Sequence, residues 1–208
     1  MRRIVPSDPA NDEAASGRPA EAGATDPGLT PVGVVESRRG EADMTVLVTY
    51  ASKHGSTQGI AEAIGERLRG RGLDAEVRPV REVKGLEPYD TVVLGSAVYL
   101  GAWMKEAQAF LDRHEAALRE VPLWLFSSGP TAADQGMDLA VSVKTRERLD
   151  ALGARDHHLF RAALDAKRLN LLERTAIKAA KQPLGDFRNW NDVQRWADSI
   201  ADGDGDPT

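Results

Sequence analysis

Val46-Leu47-Val48-Thr49-Tyr50-Ala51-Ser52-Lys53-His54-Gly55-Ser56-Thr57 decides the fold: a short apolar strand runs directly into a hydroxyl-rich turn containing a glycine, and a helix follows. Ile60, Ala61, Ile64 and Leu68 share one face of that helix, which the spacing places at Ser56 to Arg71 with Gly72 as its stop. Strand, turn and helix in this order form a cradle for phosphate, because the first N–H groups of a helix lack intrahelical partners and point into the turn. The hydroxyls of Ser52, Ser56 and Thr57 add donors, so a bound mononucleotide is the first expectation. A plain helix cap, with Ser52 or Ser56 satisfying the orphan N–H groups, is the other reading of the same residues.

Outward from this stretch, strands and helices alternate. Strands are expected at Val46 to Tyr50, Ala75 to Val80, Thr91 to Ser96, Leu123 to Ser127 and His158 to Leu164. Between and after them, helices are expected at Trp103 to Leu118, Ala140 to Leu152, Ala166 to Lys181 and Asn191 to Ala201. Parallel strands need crossover helices, so the pattern predicts an α/β protein: a doubly wound five-stranded parallel sheet with helices on both faces. The ligand then belongs at the carboxyl ends of the strands.

Three loops meet at that edge. The first is the phosphate turn, and the second, Ser96-Ala97-Val98-Tyr99-Leu100-Gly101-Ala102-Trp103, joins a flexible glycine to two aromatics. The third, Ser127-Ser128-Gly129-Pro130-Thr131, offers hydroxyls and bare backbone. A planar heterocycle wants an apolar wall and backbone donors at its polar rim, and these loops supply both.

Composition narrows the classes. The chain of 208 residues is 41% apolar, enough for one domain with a real core, and it has no cysteine. Disulfides, thiol relays and cysteine-ligated iron–sulfur clusters are thereby excluded, so electron chemistry would need an organic cofactor. Residues 1–43 carry 5 basic and 8 acidic side chains and residues 201–208 carry 3 acidic ones, so the net −5 of the chain leaves residues 44–200 at about +1. That body is not basic enough to suggest nucleic acid. No apolar run approaches the ~20 residues of a membrane span, so the cytoplasm is the expected compartment.

Residues 1–43 are rich in Pro, Gly, Ala and acidic side chains without periodicity, which predicts a disordered extension ahead of a domain at 44–201 and a disordered acidic tail at 202–208. Met44 stands immediately before the first strand, so the extension reads either as upstream of an alternative start or as a regulatory or tethering tail.

The turn resembles the phosphate loop of the flavodoxin family, which has the form Thr/Ser-x-Thr-Gly-x-Thr. Ser52, Gly55, Ser56 and Thr57 match it, while His54 replaces the central hydroxyl. Gly95-Ser96-Ala97-Val98-Tyr99-Leu100-Gly101 is similar to the corresponding stretch of the flavodoxin-type, menaquinone-dependent protoporphyrinogen IX dehydrogenases. That subgroup carries a basic helical insertion after its fifth strand, echoed here at about 166–182, and an Asp/Asn-Trp start to its last helix, echoed by Asn189-Trp190-Asn191.

The resemblance implies FMN as cofactor. Ser52, Lys53, His54, Gly55, Ser56 and Thr57 would hold its phosphate, Ala97, Val98, Tyr99, Leu100 and Gly101 would border the reactive edge of the flavin, and Ser127, Ser128, Gly129, Pro130 and Thr131 would meet its pyrimidine side. It further implies an oxidoreductase passing electrons from a reduced porphyrin-type substrate to a quinone, and no protein acid or base can be named as catalytic. A flavodoxin-type carrier serving partner redox enzymes is the alternative.

Other residues admit plainer readings. Trp103 opens an amphipathic helix and reads as a core aromatic, while Tyr99 is placed near the flavin. His157 and His158 lack an acidic partner at ligand spacing and read as surface histidines. Ser127 and Ser128 stand in no nucleophile-elbow context, which argues against hydrolysis. In the basic stretch, Leu169, Leu172, Ala176 and Ala179 share a face flanked by cations, as in a surface helix packed on the sheet. Alternatively Lys167, Arg168, Arg174, Lys178 and Lys181 meet an anionic substrate or the headgroups of a membrane.

Overall fold

A computed structural model describes residues 44–129, 141–169, 171–179 and 183–204. The expected extension at 1–43, the tail residues 205–208, and Pro130, Thr131 and Lys181 lie outside the described residues. Five strands form the sheet: β1 (Thr45–Ala51), β2 (Asp74–Pro79), β3 (Thr91–Tyr99), β5 (Leu123–Ser128) and β6 (Asp156–Phe160). They lie in the order β2-β1-β3-β5-β6 and all pair in parallel, with a two-residue strand β4 (Ala102–Trp103) folded back antiparallel on β3. The chain therefore winds first to one side of β1 and then to the other, which leaves a crevice between β1 and β3 at their carboxyl ends.

Both faces of the sheet are covered. Helices α1 (Ser56–Gly70) and α5 (Trp190–Asp202) lie on one, where Ile60, Ile64 and Leu68 pack with Val48, Val93, Trp124, Phe126, Val193 and Trp196. Helix α2 (Lys105–Leu118) and helix α3 (Val143–Asp150) lie on the other, where Phe110, Leu111 and Leu149 meet Leu47, Leu94, Trp103 and Leu125. The fully apolar strands follow from this double cover, since neighbouring side chains on each strand enter different cores. Caps fix the helix ends: Ser142 accepts from the Thr145 N–H at the start of α3, Asn189 from the Asp192 N–H at the start of α5, and Gly203 closes α5 in a left-handed conformation.

Three expectations are corrected. Strand β3 runs on to Tyr99 and turns through Leu100 and Gly101 into β4, so Trp103 belongs to a hairpin and α2 starts at Lys105. The expected strand at 158–164 is instead β6, beginning at Asp156, and a separate strand β7 (Ala163–Leu164). The single basic helix at 166–181 is broken: Asp165 caps a turn of 3-10 helix at Ala166–Arg168, Leu169 is extended and buried, and α4 spans Leu171–Ala179. A short strand β8 (Gly185–Asp186) then pairs antiparallel with β7.

Candidate functional site

The turn after β1 lies at the crevice. Gly55 is the N-cap of α1 and sits at φ +84°, a left-handed conformation that a side chain would strain. Its N–H is received by the Ser52 hydroxyl at 3.1 Å, so Ser52 stabilises the turn and the helix itself starts with no side-chain cap. The capping reading of Ser52 and Ser56 is thus corrected. Thr57 is buried in the first turn of α1, and its Oγ1 has no hydrogen-bond partner among the described residues. No acidic side chain occupies that first turn. An uncapped helix start with an orphaned hydroxyl favours an anion at this place.

The second loop is a tight hairpin. Leu100 and Gly101 form its tip with φ of +51° and +76°, and Leu100 is fully exposed beside Tyr99 at 44% exposure. The Ser96 hydroxyl receives the Met104 N–H at 3.0 Å and donates to Ala97 O at 2.9 Å, while Gly101 O receives the Ser142 N–H at 2.8 Å. The hairpin is pinned at its base and its tip carbonyl, and Ala97 and Val98 line its half-buried stem. In the third loop, Gly129 donates its N–H to Phe160 O at 3.0 Å and is buried against Val98.

Ser127 turns away from this edge. Its hydroxyl is fully buried, accepts from Trp103 Nε1 at 2.8 Å and lies 2.9 Å from His157 Nε2. His157 is therefore not a surface histidine: its ring is partly buried edge-on to Trp103, and desolvation first, then the charges of His158 and Arg146, pushes its pKa down to about 4. A neutral ring shares one proton with the Ser127 hydroxyl across this contact, the tautomer setting which of the two donates. His158 has an acidic partner after all, with Nε2 3.0 Å from Asp192. Ser128 is buried on the opposite face, its hydroxyl 3.5 Å from that of Ser56.

A strap lies beside the phosphate turn, where sequence periodicity showed a single helix. The ribbon of β7 and β8 lies beside the turn, where the Ala163 N–H donates to Ser56 Oγ at 2.8 Å. Arg168, read from sequence among the outward-facing cations, instead donates from Nη1 to His54 O at 2.9 Å. Turn and strap line an open cleft of about 620 Å³ whose walls include His54, Gly55, Asp165, Arg168, Asp186 and Arg188. Arg188 was not singled out in the sequence. Arg174, Lys178 and Lys167 are exposed, and Lys53 points out from the turn.

A parallel sheet whose winding reverses beside an uncapped helix start, with a glycine turn at the reversal, defines a doubly wound mononucleotide-binding protein. The chain belongs to the flavodoxin family: the Flavodoxin domain model matches residues 47–190, and FMN is the cofactor. Among curated proteins it is 28% identical to a protoporphyrinogen IX dehydrogenase [quinone] of Escherichia coli K12, across 40% of this chain and 48% of that one. It is 30% identical to an NAD(P)H dehydrogenase (quinone) of Paraburkholderia phymatum, across 33% of this chain and 45% of that one. The matched stretch thus spans about half the length of these relatives. Among solved structures, a flavodoxin from the domain Archaea superposes with a TM-score of 0.52 at 18% identity, covering 77% of this chain and 98% of that one. The rubredoxin oxygen:oxidoreductase of Desulfovibrio gigas also gives 0.52, at 14% identity over 76% of this chain and 35% of that one. Among the described residues no helix is long and apolar enough to cross a membrane.

Proposed function

We propose that the protein is an FMN-dependent oxidoreductase that takes electrons from a reduced porphyrin-type substrate and delivers them to a quinone. The observation carrying the site is the orphaned Thr57 hydroxyl in the uncapped first turn of α1, which suits a phosphate ester. Ser52, Lys53, His54, Gly55, Ser56 and Thr57 would hold that phosphate. Ala97 to Gly101 would border the ring, and Ser128 to Thr131 would meet its far side, with Ser127 contributing backbone only because its hydroxyl is engaged in the core.

When bound, FMN supplies two-electron redox chemistry that no side chain of this cysteine-free chain can supply. The chain's own part is to position it. The bonds at Ser96 and Gly101 fix the hairpin that would border the ring, and Gly129, buried beside Val98 and bonded to Phe160 O, anchors the start of the third loop. Exposed Tyr99 and Leu100 offer an apolar shelf to a flat partner. For each turnover two electrons and two protons leave the reduced substrate and reappear on the quinol, with the protons passing through solvent.

Support for the quinone comes from the two curated relatives, whose names share that acceptor, and support for the porphyrin from one of them. The test is anaerobic turnover of protoporphyrinogen with a menaquinone analogue by FMN-reconstituted protein. Porphyrin absorbance should rise in proportion to quinone consumed. A yellow protein that turns over neither, yet passes electrons to a redox protein, is a carrier. A protein that stays colourless with excess FMN overturns the site as well.

A further inference from the structure

We propose that Arg168 and Arg188 are cofactor-binding residues, a pair of guanidinium groups that the strap lays against the phosphate turn to hold the FMN phosphate. This rests on the reading that the turn from Ser52 to Thr57 receives that phosphate. The ribbon is tied to the turn by the Ala163 N–H on Ser56 Oγ, and β8 pairs with β7, which brings Arg188, two residues past β8, to the same cleft as Arg168.

Each arginine lies against a glycine of α1. A Cβ on Gly55 would stand 2.3 Å from Arg168 Nη1, and a Cβ on Gly59 would stand 2.5 Å from Arg188 Nη1. Positions 55 and 59 are one helical turn apart, so these bare residues let both guanidinium groups approach the same face of the helix start. Arg188 is held in place there. Its Nε and Nη2 donate to the Asp186 carboxylate at 2.9 and 2.5 Å, and its guanidinium carbon lies 4.4 Å from the centre of the Trp190 ring. Arg168 makes no ion pair among the described residues, and Asp165, across the same cavity, receives the Lys167 N–H.

Two cations at the positive end of a helix whose first turn has no acid are mutually unfavourable. Asp186 offsets Arg188 and Asp165 balances Arg168 in the cleft lining, so what goes unmet is the donor capacity of the helix end, of the Arg168 fork and of the Thr57 hydroxyl, a demand for acceptor oxygens. A phosphate dianion meets it. Arginine suits this task through its planar fork of donors, of which Arg168 spends one on His54 O.

The experiment measures FMN and riboflavin affinity by fluorescence quenching on the full chain, at low and high salt, for the wild type, Arg168→Gln, Arg188→Gln, Arg168→Lys and Arg113→Gln. Wild type should bind FMN more tightly than riboflavin. Arg168→Gln should weaken FMN by about 10-fold or more and riboflavin by less than about 2-fold, with Arg188→Gln acting in the same sense. Arg168→Lys should recover part of the loss, the salt dependence of FMN binding should shrink with each lost cation, and exposed Arg113 on α2 should change nothing. Equal weakening of both flavins, or no weakening, overturns the clamp while leaving the phosphate turn standing. A wild type that binds riboflavin as tightly as FMN overturns the turn and the clamp together.

Discussion

The two loops flanking the crevice follow opposite designs. The phosphate turn is polar and half-covered, with Arg168 and the ribbon laid beside it, whereas the hairpin ends in a bare leucine and a half-exposed tyrosine. Polar recognition of a charged group gains from exclusion of water, because each bond strengthens as the surroundings dry. Exchange of electrons with a visiting molecule needs exposure, and an apolar tip supplies contact without a desolvation cost. On the proposed reading, one end holds and the other is visited.

The strongest way to break this contrast is to remove the floor both loops stand on. Gly95 in β3 faces the Phe126 ring so closely that a Cβ would lie 1.9 Å from its Cζ. Gly95→Ala should therefore destabilise the fold by about 3 kcal/mol, read as a lowered urea midpoint with unchanged slope, and should weaken both flavins alike. A mild effect would mean that β3 and β5 can part without disturbing the loops.

Acid should act on the hairpin side first. His157 titrates near 4 when folded and near 6.5 when unfolded, so below 6.5 the unfolded chain takes up a proton that the native one refuses. Stability is full above pH 6.5 and falls as the pH drops toward 4, by about 3 kcal/mol. Urea melts across that window test it: His157→Gln should flatten the slope. Asp198, held down to about 2 by its bonds to Arg67 and Arg71, keeps its contribution across this window and loses it between 3.8 and about 2.

Thr57→Val sharpens the comparison from the other side. Removing a buried hydroxyl with no partner among the described residues should stabilise the flavin-free protein by about 1 kcal/mol and weaken FMN by about 10-fold. Opposite signs in melting and binding are the diagnostic. If both fall, the hydroxyl has a structural partner and was never kept for a ligand.

Much of this was readable from sequence, and the rest was hidden for identifiable reasons. The stretch from Val46 to Thr57 announced strand, turn and helix because apolar period and turn chemistry agree there, and the remaining buried strands showed as apolar runs. The strap did not show. Strands of two residues carry no period, and Arg168 reaches a carbonyl 114 positions away. The hairpin was missed because Leu-Gly stands where a tight turn usually signals itself with Asn-Gly. His157 and His158 masked the start of β6, since each polar ring finds a partner in Ser127 or Asp192 that only the fold brings near.

The smallest predicted effect probes the bare loop. Leu100 holds φ +51° while fully exposed, a conformation that costs a β-carbon residue about 1 kcal/mol and that asparagine tolerates. Leu100→Asn should raise stability by less than about 1 kcal/mol, since nothing packed is lost. Strain retained at an exposed apolar tip makes sense where the side chain is covered during contact, and a leucine covered in that way contributes about 1.5 kcal/mol. The same variant should then raise the quinone KM about 10-fold with the FMN-to-riboflavin affinity ratio unchanged. If stability rises and KM does not move, the tip meets no acceptor, and the contrast between a loop that holds and a loop that is visited loses its second half.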